Sequence, residues 1–196
     1  TESLSDDELI TLTGGTYNRG IADTRGLGGL DYLGIPAIMT ADGPAGLRVR
    51  EDRGVKTTAF PIATAIACSW NEDLAYETGL RGAAEVEENN IGMWLTPAIN
   101  VHRSPLCGRN FEYYSEDPFL TGKMASAMVK GIQSRNVSAC VKHFCCNNKE
   151  TNRYGSDSVV SERALREIYL KAFEIVVKES GVYALMTSYN KVNGTY

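Results

Sequence analysis

The sequence has little of several things whose scarcity narrows its chemistry. Positive charge is one: 20 Lys and Arg stand against 24 Asp and Glu, a formal charge of -4. Nothing electrostatic therefore draws the chain to nucleic acid or to an anionic membrane surface. No apolar run approaches the ~20 residues that cross a bilayer. The first residues, from Thr1, are polar and acidic rather than signal-like. A chain that does not start with Met is expected to have been processed or to be part of a longer one. Cysteine is sparse and odd in number, at Cys68, Cys107, Cys140, Cys145 and Cys146, with no CxxC pair. That pattern fits reduced, buried thiols and a cytoplasmic protein, with secretion left open should the N-terminus be processed. A zinc site built from Cys140, His143 and Cys145 lacks a second ligand cluster, so neither metal nor cofactor is expected. Histidine is rarer still, with two in 196 residues.

What is there describes a globular chain, 43% apolar, long enough for one ordinary domain or for part of a larger one. Ser5-Asp6-Asp7-Glu8 reads as a capping box opening a short helix that Gly14-Gly15 ends. The Gly-rich segment to about Tyr32 reads as loop. Gly26-Leu27-Gly28-Gly29 has neither the strand before it nor the helix after it that a phosphate cradle needs. Strands are expected at 35–40, 62–68, 93–98, 138–144 and 183–189. Helices are expected after Asn71, after the loop that ends at Pro118, and from Ser161; Leu120, Met124, Ala127, Met128, Gly131 and Ile132 keep a 3.6-residue period. Strands alternating with helices, without hairpin turns between them, indicate an α/β fold with a parallel sheet of about five βα units.

Polar residues gather where these strands end. Asp42, Trp70, Asn100, Lys142 with His143, and Tyr189 each fall at or just past an expected C-terminal strand end, the edge where βα barrels and doubly wound sheets bind ligands. Lys142 and His143 close an apolar run; they either mark where the strand meets solvent or line a polar site. The sheet is either open or the first part of a (β/α)8-type barrel, which needs eight such units. Carboxylates, cationic donors, amides and aromatic rings together suit a carbohydrate better than a phosphate.

The segments Ala41-Asp42-Gly43-Pro44-Ala45-Gly46-Leu47-Arg48, Gly108-Arg109-Asn110-Phe111-Glu112 with Ser115-Glu116-Asp117-Pro118, Lys142-His143-Phe144 with Asn147-Asn148-Lys149-Glu150, and Met186-Thr187-Ser188-Tyr189-Asn190 resemble glycoside hydrolase family 3 in order and spacing, with the β-glucosidases nearest. The resemblance spans nearly the whole chain. It implies that residues 1–196 are the N-terminal part of a (β/α)8-type barrel domain, the second half of the barrel and an α/β sandwich domain lying outside this chain. The implied activity is that of a retaining, exo-acting β-glucosidase; β-xylosidase, N-acetyl-β-glucosaminidase and a non-catalytic carbohydrate-binding fragment are the alternatives.

The resemblance implies that Asp42, Arg109, Lys142 and His143 hold the sugar hydroxyls in the subsite at the cleaved bond, with Met186 and Tyr189 lining it. Asp42 is then expected to accept from two adjacent hydroxyls, and Glu150 and Arg153 to brace the loop. The family's nucleophile, an Asp in a Ser-Asp-Trp-like strand end, has no counterpart among these residues, and its acid/base comes from later still. The chain alone is therefore expected to be inactive, its partners being a β-glucoside or oligosaccharide and the remaining polypeptide that completes the barrel. Consecutive strand residues face opposite ways, yet Lys142 and His143 are both meant to reach one sugar. An irregular backbone is expected between Val141 and Phe144: a bulge, an unusual dihedral or a non-proline cis peptide.

Overall fold

The computed structural model describes residues 3–17 and 20–196; Thr1, on which the reading of the N-terminus rests, lies outside them. Helix α1 (Asp6–Thr13) carries its expected capping box: the Glu8 N–H donates to Ser5 Oγ at 3.4 Å and the Ser5 N–H to the Glu8 carboxylate at 2.7 Å. The segment expected to be all loop holds two short strands, β1 (Gly15–Thr16) and β2 (Gly26–Leu27). They form an antiparallel ladder with each other and with β3 (Ile38–Ala41). Glycines 28 and 29 have positive φ, 61° and 100°, so their scatter through the sequence reflects tight turns around this ladder.

The apolar run 62–68, expected as a strand, is instead the short helix α2 (Ala63–Ala67). Its length leaves strand and helix alike in periodicity, and three alanines in five residues favour the helix. Trp70 accordingly follows a helix and stands 75% exposed, away from any strand end. Helix α3 (Glu72–Glu88) starts where Asn71 Oδ1 accepts from the N–H groups of Asp73 and Leu74, at 2.9 and 3.2 Å. Strand β4 (Met93–Trp94) is shorter than expected, and Pro97 beyond it offers no ladder donor. Helix α4 (Pro118–Gln133) has Asp117 as its cap and buries Met124, Ala127, Met128, Gly131 and Ile132, the face its period indicated.

Strand β5 (Ser138–Phe144) is buried along five consecutive residues. Beyond it come β6 (Asp157–Ser158), α5 (Glu162–Ala164), a π-helical turn over Leu165–Tyr169, α6 (Lys171–Ser180), β7 (Ala184–Thr187) and β8 (Lys191–Val192), which pairs with β6. The main sheet runs β1-β2-β3-β4-β5-β7, and β3, β4, β5 and β7 are parallel. Among the described residues there are thus four parallel strands in this sheet rather than five. Each joins the same side of its predecessor, in chain order, with helices in between. A doubly wound sheet reverses this order at its switch point; the progressive order belongs to a barrel. Helices α3, α4 and α6 cover the sheet around a core that includes Val86, Trp94, Met128, Val141 and Phe173. Of the cysteines, Cys107, Cys140 and Cys146 are buried and Cys145 half-buried. Cys68, expected to be buried, caps the end of α2 and is exposed.

Candidate functional site at the C-terminal strand edge

Asp42 is the first residue after β3, and the loop behind it folds tightly back. Gly43 and Gly46 take φ of 111° and 134°, and a Cβ on Gly43 would stand 1.9 Å from the Gly46 carbonyl oxygen. Only glycine fits there. The Arg48 N–H then donates to the Asp42 carbonyl at 3.0 Å, returning the Arg48 guanidinium to the carboxylate six residues earlier.

The carboxylate of Asp42 is crowded with donors. Lys142 Nζ donates to Oδ1 at 2.5 Å, the Gly43 N–H to the same oxygen at 2.9 Å, and Arg48 Nη2 to Oδ2 at 2.5 Å. Burial alone would push this carboxyl up; the Lys142 ammonium, the Gly43 N–H and the Arg48 guanidinium outweigh it and hold the group below its ordinary range. An ionised carboxylate offers about four lone-pair sites. Donors among the described residues take three, two on Oδ1 and one on Oδ2, so the place left lies on Oδ2.

Lys142 and His143 are 1% and 2% exposed, so they do not mark a strand end in solvent. The peptide bonds Lys142–His143 and Phe144–Cys145 are cis, and the register against β7 shifts between Lys142 and Phe144. The expected irregularity is there. Asn100, just beyond β4, grips His143 by its backbone: its Oδ1 accepts from the His143 N–H and its Nδ2 donates to the His143 carbonyl, both at 3.0 Å. The imidazole meets the Tyr113 ring edge-on, 6.4 Å between centroids. Burial, then the positive charges of Arg109 and Lys142, push His143 down to about 2. It is therefore a neutral ring, and its Nδ1 has no hydrogen-bond partner among the described residues.

Arg109 precedes the short 3-10 turn Asn110–Glu112. Its Nε donates to the buried Glu112 at 2.5 Å, and its Nη1 lies 3.9 Å from Glu150. Burial opposes the Arg109 charge, but Glu112 outweighs it and raises the guanidinium above its ordinary value. Glu150 in turn accepts from Arg153 Nη1 at 2.9 Å, the bracing role expected of that pair.

A cavity of about 540 Å³ has Asp42, Arg48, Thr58, Arg109, Phe111 and Glu112 in its wall. Lys142 and His143 do not line it, and neither do Met186 and Tyr189. Met186 is the register neighbour of Lys142 on β7. Tyr189 sits further off, its ring 4.6 Å from that of Tyr154 and 4.8 Å from the Arg153 guanidinium. The structure thus joins Asp42 to Lys142 directly and sets Arg109 in the same cavity wall as Asp42. His143 feels both cations, Met186 lies one strand over from Lys142, and Tyr189 connects to Arg109 through Arg153 and Glu150.

Sequence reasoning missed Asp23 and the part played by Arg48. Arg48 Nε donates to Asp23 Oδ2 at 2.6 Å, and the Asp42 N–H to Asp23 Oδ1 at 3.3 Å. The paired glycines between Asp42 and Arg48 signalled a return of the chain. Nothing in the sequence pointed to Asp23.

A model of the glycosyl hydrolase family 3 N terminal domain matches residues 21–196. Beta-glucosidase A of Butyrivibrio fibrisolvens is 61% identical over 97% of this chain and 23% of its own length. An exo-alpha-(1->6)-L-arabinopyranosidase of Bifidobacterium longum is 40% identical over 100% of this chain and 26% of its own. The structure of beta-glucosidase 3B from Thermotoga neapolitana in complex with glucose superposes with a TM-score of 0.94 at 47% identity, covering 100% of this chain and 29% of that one. The chain thus spans about a quarter of the length of such relatives.

Proposed function

Because the chain belongs to glycosyl hydrolase family 3, we propose that it is the barrel portion of a retaining, exo-acting β-glucosidase that holds the terminal β-D-glucosyl residue at the cleaved bond. The observation that carries this reading is the Asp42 carboxylate, kept ionised by Lys142 and Arg48 in the wall of a cavity it shares with Arg109. Such a carboxylate accepts strongly from a sugar hydroxyl, a charge-assisted bond worth more than a neutral one. Arg109 and the neutral His143 supply the complementary donors, and Met186 and Tyr189 complete the subsite when the rest of the polypeptide closes over them.

Retaining hydrolysis needs a nucleophilic carboxylate and a second carboxyl acting as acid and then base, about 5 Å apart. The carboxylates nearest this cavity are poor candidates. Asp42 is tied to Lys142 and Arg48, Glu112 to Arg109, and Glu150 to Arg153. Each is already paired with a cation, so none stands free as a nucleophile. As the family resemblance implies, the nucleophile and acid/base come from beyond residue 196, from the second half of the barrel and from a further α/β sandwich domain. Two carboxyl groups suffice for this chemistry, with no metal or cofactor.

The test uses the whole polypeptide that carries this chain. It is expected to release β-glucose first from 4-nitrophenyl β-D-glucopyranoside, followed by proton NMR, whereas residues 1–196 alone release nothing above buffer. First release of the α-anomer, or turnover by the 196-residue chain, overturns the proposal. Assayed beside the glucoside, 4-nitrophenyl α-L-arabinopyranoside separates the glucosidase reading from a pentopyranosidase one, the alternative that the Bifidobacterium relative favours.

A further inference from the structure

Asp23 lies outside the parallel strands, yet it is held against Asp42 and Arg48. Its neighbours on both sides are pinned. Ala22 bridges Val49 in antiparallel fashion, and the Arg50 N–H donates to the Ile21 carbonyl at 2.8 Å. On the other side Thr24 Oγ1 donates to the Thr40 carbonyl at 2.5 Å, and Thr40 Oγ1 to the Arg25 carbonyl at 2.5 Å. Residues 21–25 thus form a strap stitched both to β3 and to the returning loop beyond Asp42. From this strap Asp23 divides its carboxylate, one oxygen to the Asp42 N–H and the other to Arg48 Nε.

We propose that Asp23 is a positioning residue for the sugar-binding carboxylate: by engaging Arg48 through Nε it confines that guanidinium to one bond with Asp42, and so keeps the last acceptor place of Asp42 open for a sugar hydroxyl. The argument is one of competing forks. A guanidinium facing a single carboxylate commits two of its N–H groups to it. Arg48 is 59% exposed on its side chain, so packing does not prevent that rotation; the Asp23 charge does. Without it Arg48 turns Nε as well as Nη2 to Asp42; Oδ1 already holds Lys142 and the Gly43 N–H, so the second bond falls on Oδ2 and the three occupied acceptor places become four. The cavity wall then presents a neutralised, saturated pair instead of an open acceptor.

The inference rests on the sugar-binding role of Asp42 given above, and the test separates the two. In the whole polypeptide, the dissociation constant of D-glucose is measured by calorimetry for the unaltered protein and for Asp42→Ala, Asp23→Asn, Arg48→Met and the double variant Asp23→Asn/Arg48→Met. Asp23→Asn is expected to weaken binding about tenfold, the scale of one hydrogen bond to a charged group. In the Arg48→Met background the same substitution is expected to change nothing, because no guanidinium remains to turn. A loss of equal size in both backgrounds, or no loss in either, overturns the inference. Unchanged binding in Asp42→Ala overturns the reading of the site itself. Should Asp23→Asn fail to fold, Asp23→Glu, which keeps the charge but shifts its reach, is compared across the two backgrounds. A weakening confined to the Arg48 background supports the inference, and any other result removes it.

Discussion

At the scale of single residues, the buried Lys142 is the most consequential. Its ammonium has left water almost completely and is compensated by Asp42. Removing one partner of such a pair strands the other charge, so Lys142→Ala is expected to cost about 3–5 kcal/mol of stability in the polypeptide that carries the chain, read from urea unfolding midpoints. A loss below about 1 kcal/mol would mean that the pair is screened like a surface bridge. His143 gives a prediction in pH. Its ring is held neutral in the fold, down to about 2, whereas the unfolded chain takes up a proton below about 6.5. The histidine's contribution to stability is therefore intact above pH 6.5 and falls away as pH drops, by about 1.4 kcal/mol per unit. Relative to His143→Gln, the protein is expected to lose about 2 kcal/mol between pH 6.5 and 5; parallel stability curves for the two would exclude a depressed histidine. The chemical identity of these residues was legible in the sequence, because a lysine and a histidine closing an apolar run demand a reason. Their partners were not. Asp42 lies 100 positions from Lys142, and Asp23 reaches the site only through a strap that no local pattern announces.

Among the elements, the helices were easier to read than the strands. Helix α4 shows its buried face as a 3.6-residue period, and the caps Asn71 and Asp117 are local hydrogen-bonding chemistry. The run 62–68 misled because apolar character alone does not separate a short buried strand from a short helix, while β1 and β2, two residues each, are too short to show any alternation. The crossing of α3 and α4 depends on two glycines. A Cβ on Gly79 would meet the Met128 carbonyl oxygen at 2.4 Å, and one on Gly131 the Tyr76 carbonyl oxygen at 2.1 Å. In an exposed helix Gly→Ala gains about 1 kcal/mol. Here backbone faces backbone and cannot give way, so Gly131→Ala is expected to destabilise by about 1–3 kcal/mol in urea unfolding. A stabilising result would show that the helices can part without cost.

For the molecule as a whole, the progressive order of the parallel strands leaves β7 with no strand on its far side among the described residues. Beside and along it Tyr183 and Leu185 are 74% and 46% exposed. Unpaired, partly apolar edges recruit other strands. Residues 1–196 produced alone are therefore expected to self-associate in analytical ultracentrifugation, and Leu185→Lys to reduce that association; a stable, compact monomer would contradict this. The barrel direction could be suspected from βα alternation, but which side each new strand joins became visible only in three dimensions. The pair Asp42–Lys142 also sets a clock. It closes a loop of 100 residues, and a ribosome adding about 5–20 residues per second takes roughly 5–20 s to make the stretch between them. For that interval the nascent carboxylate has no ammonium to meet, and the entropy of closing so long a loop delays their encounter further. The Asp42–Lys142 pair is thus assembled late, at the pace of synthesis rather than of local folding.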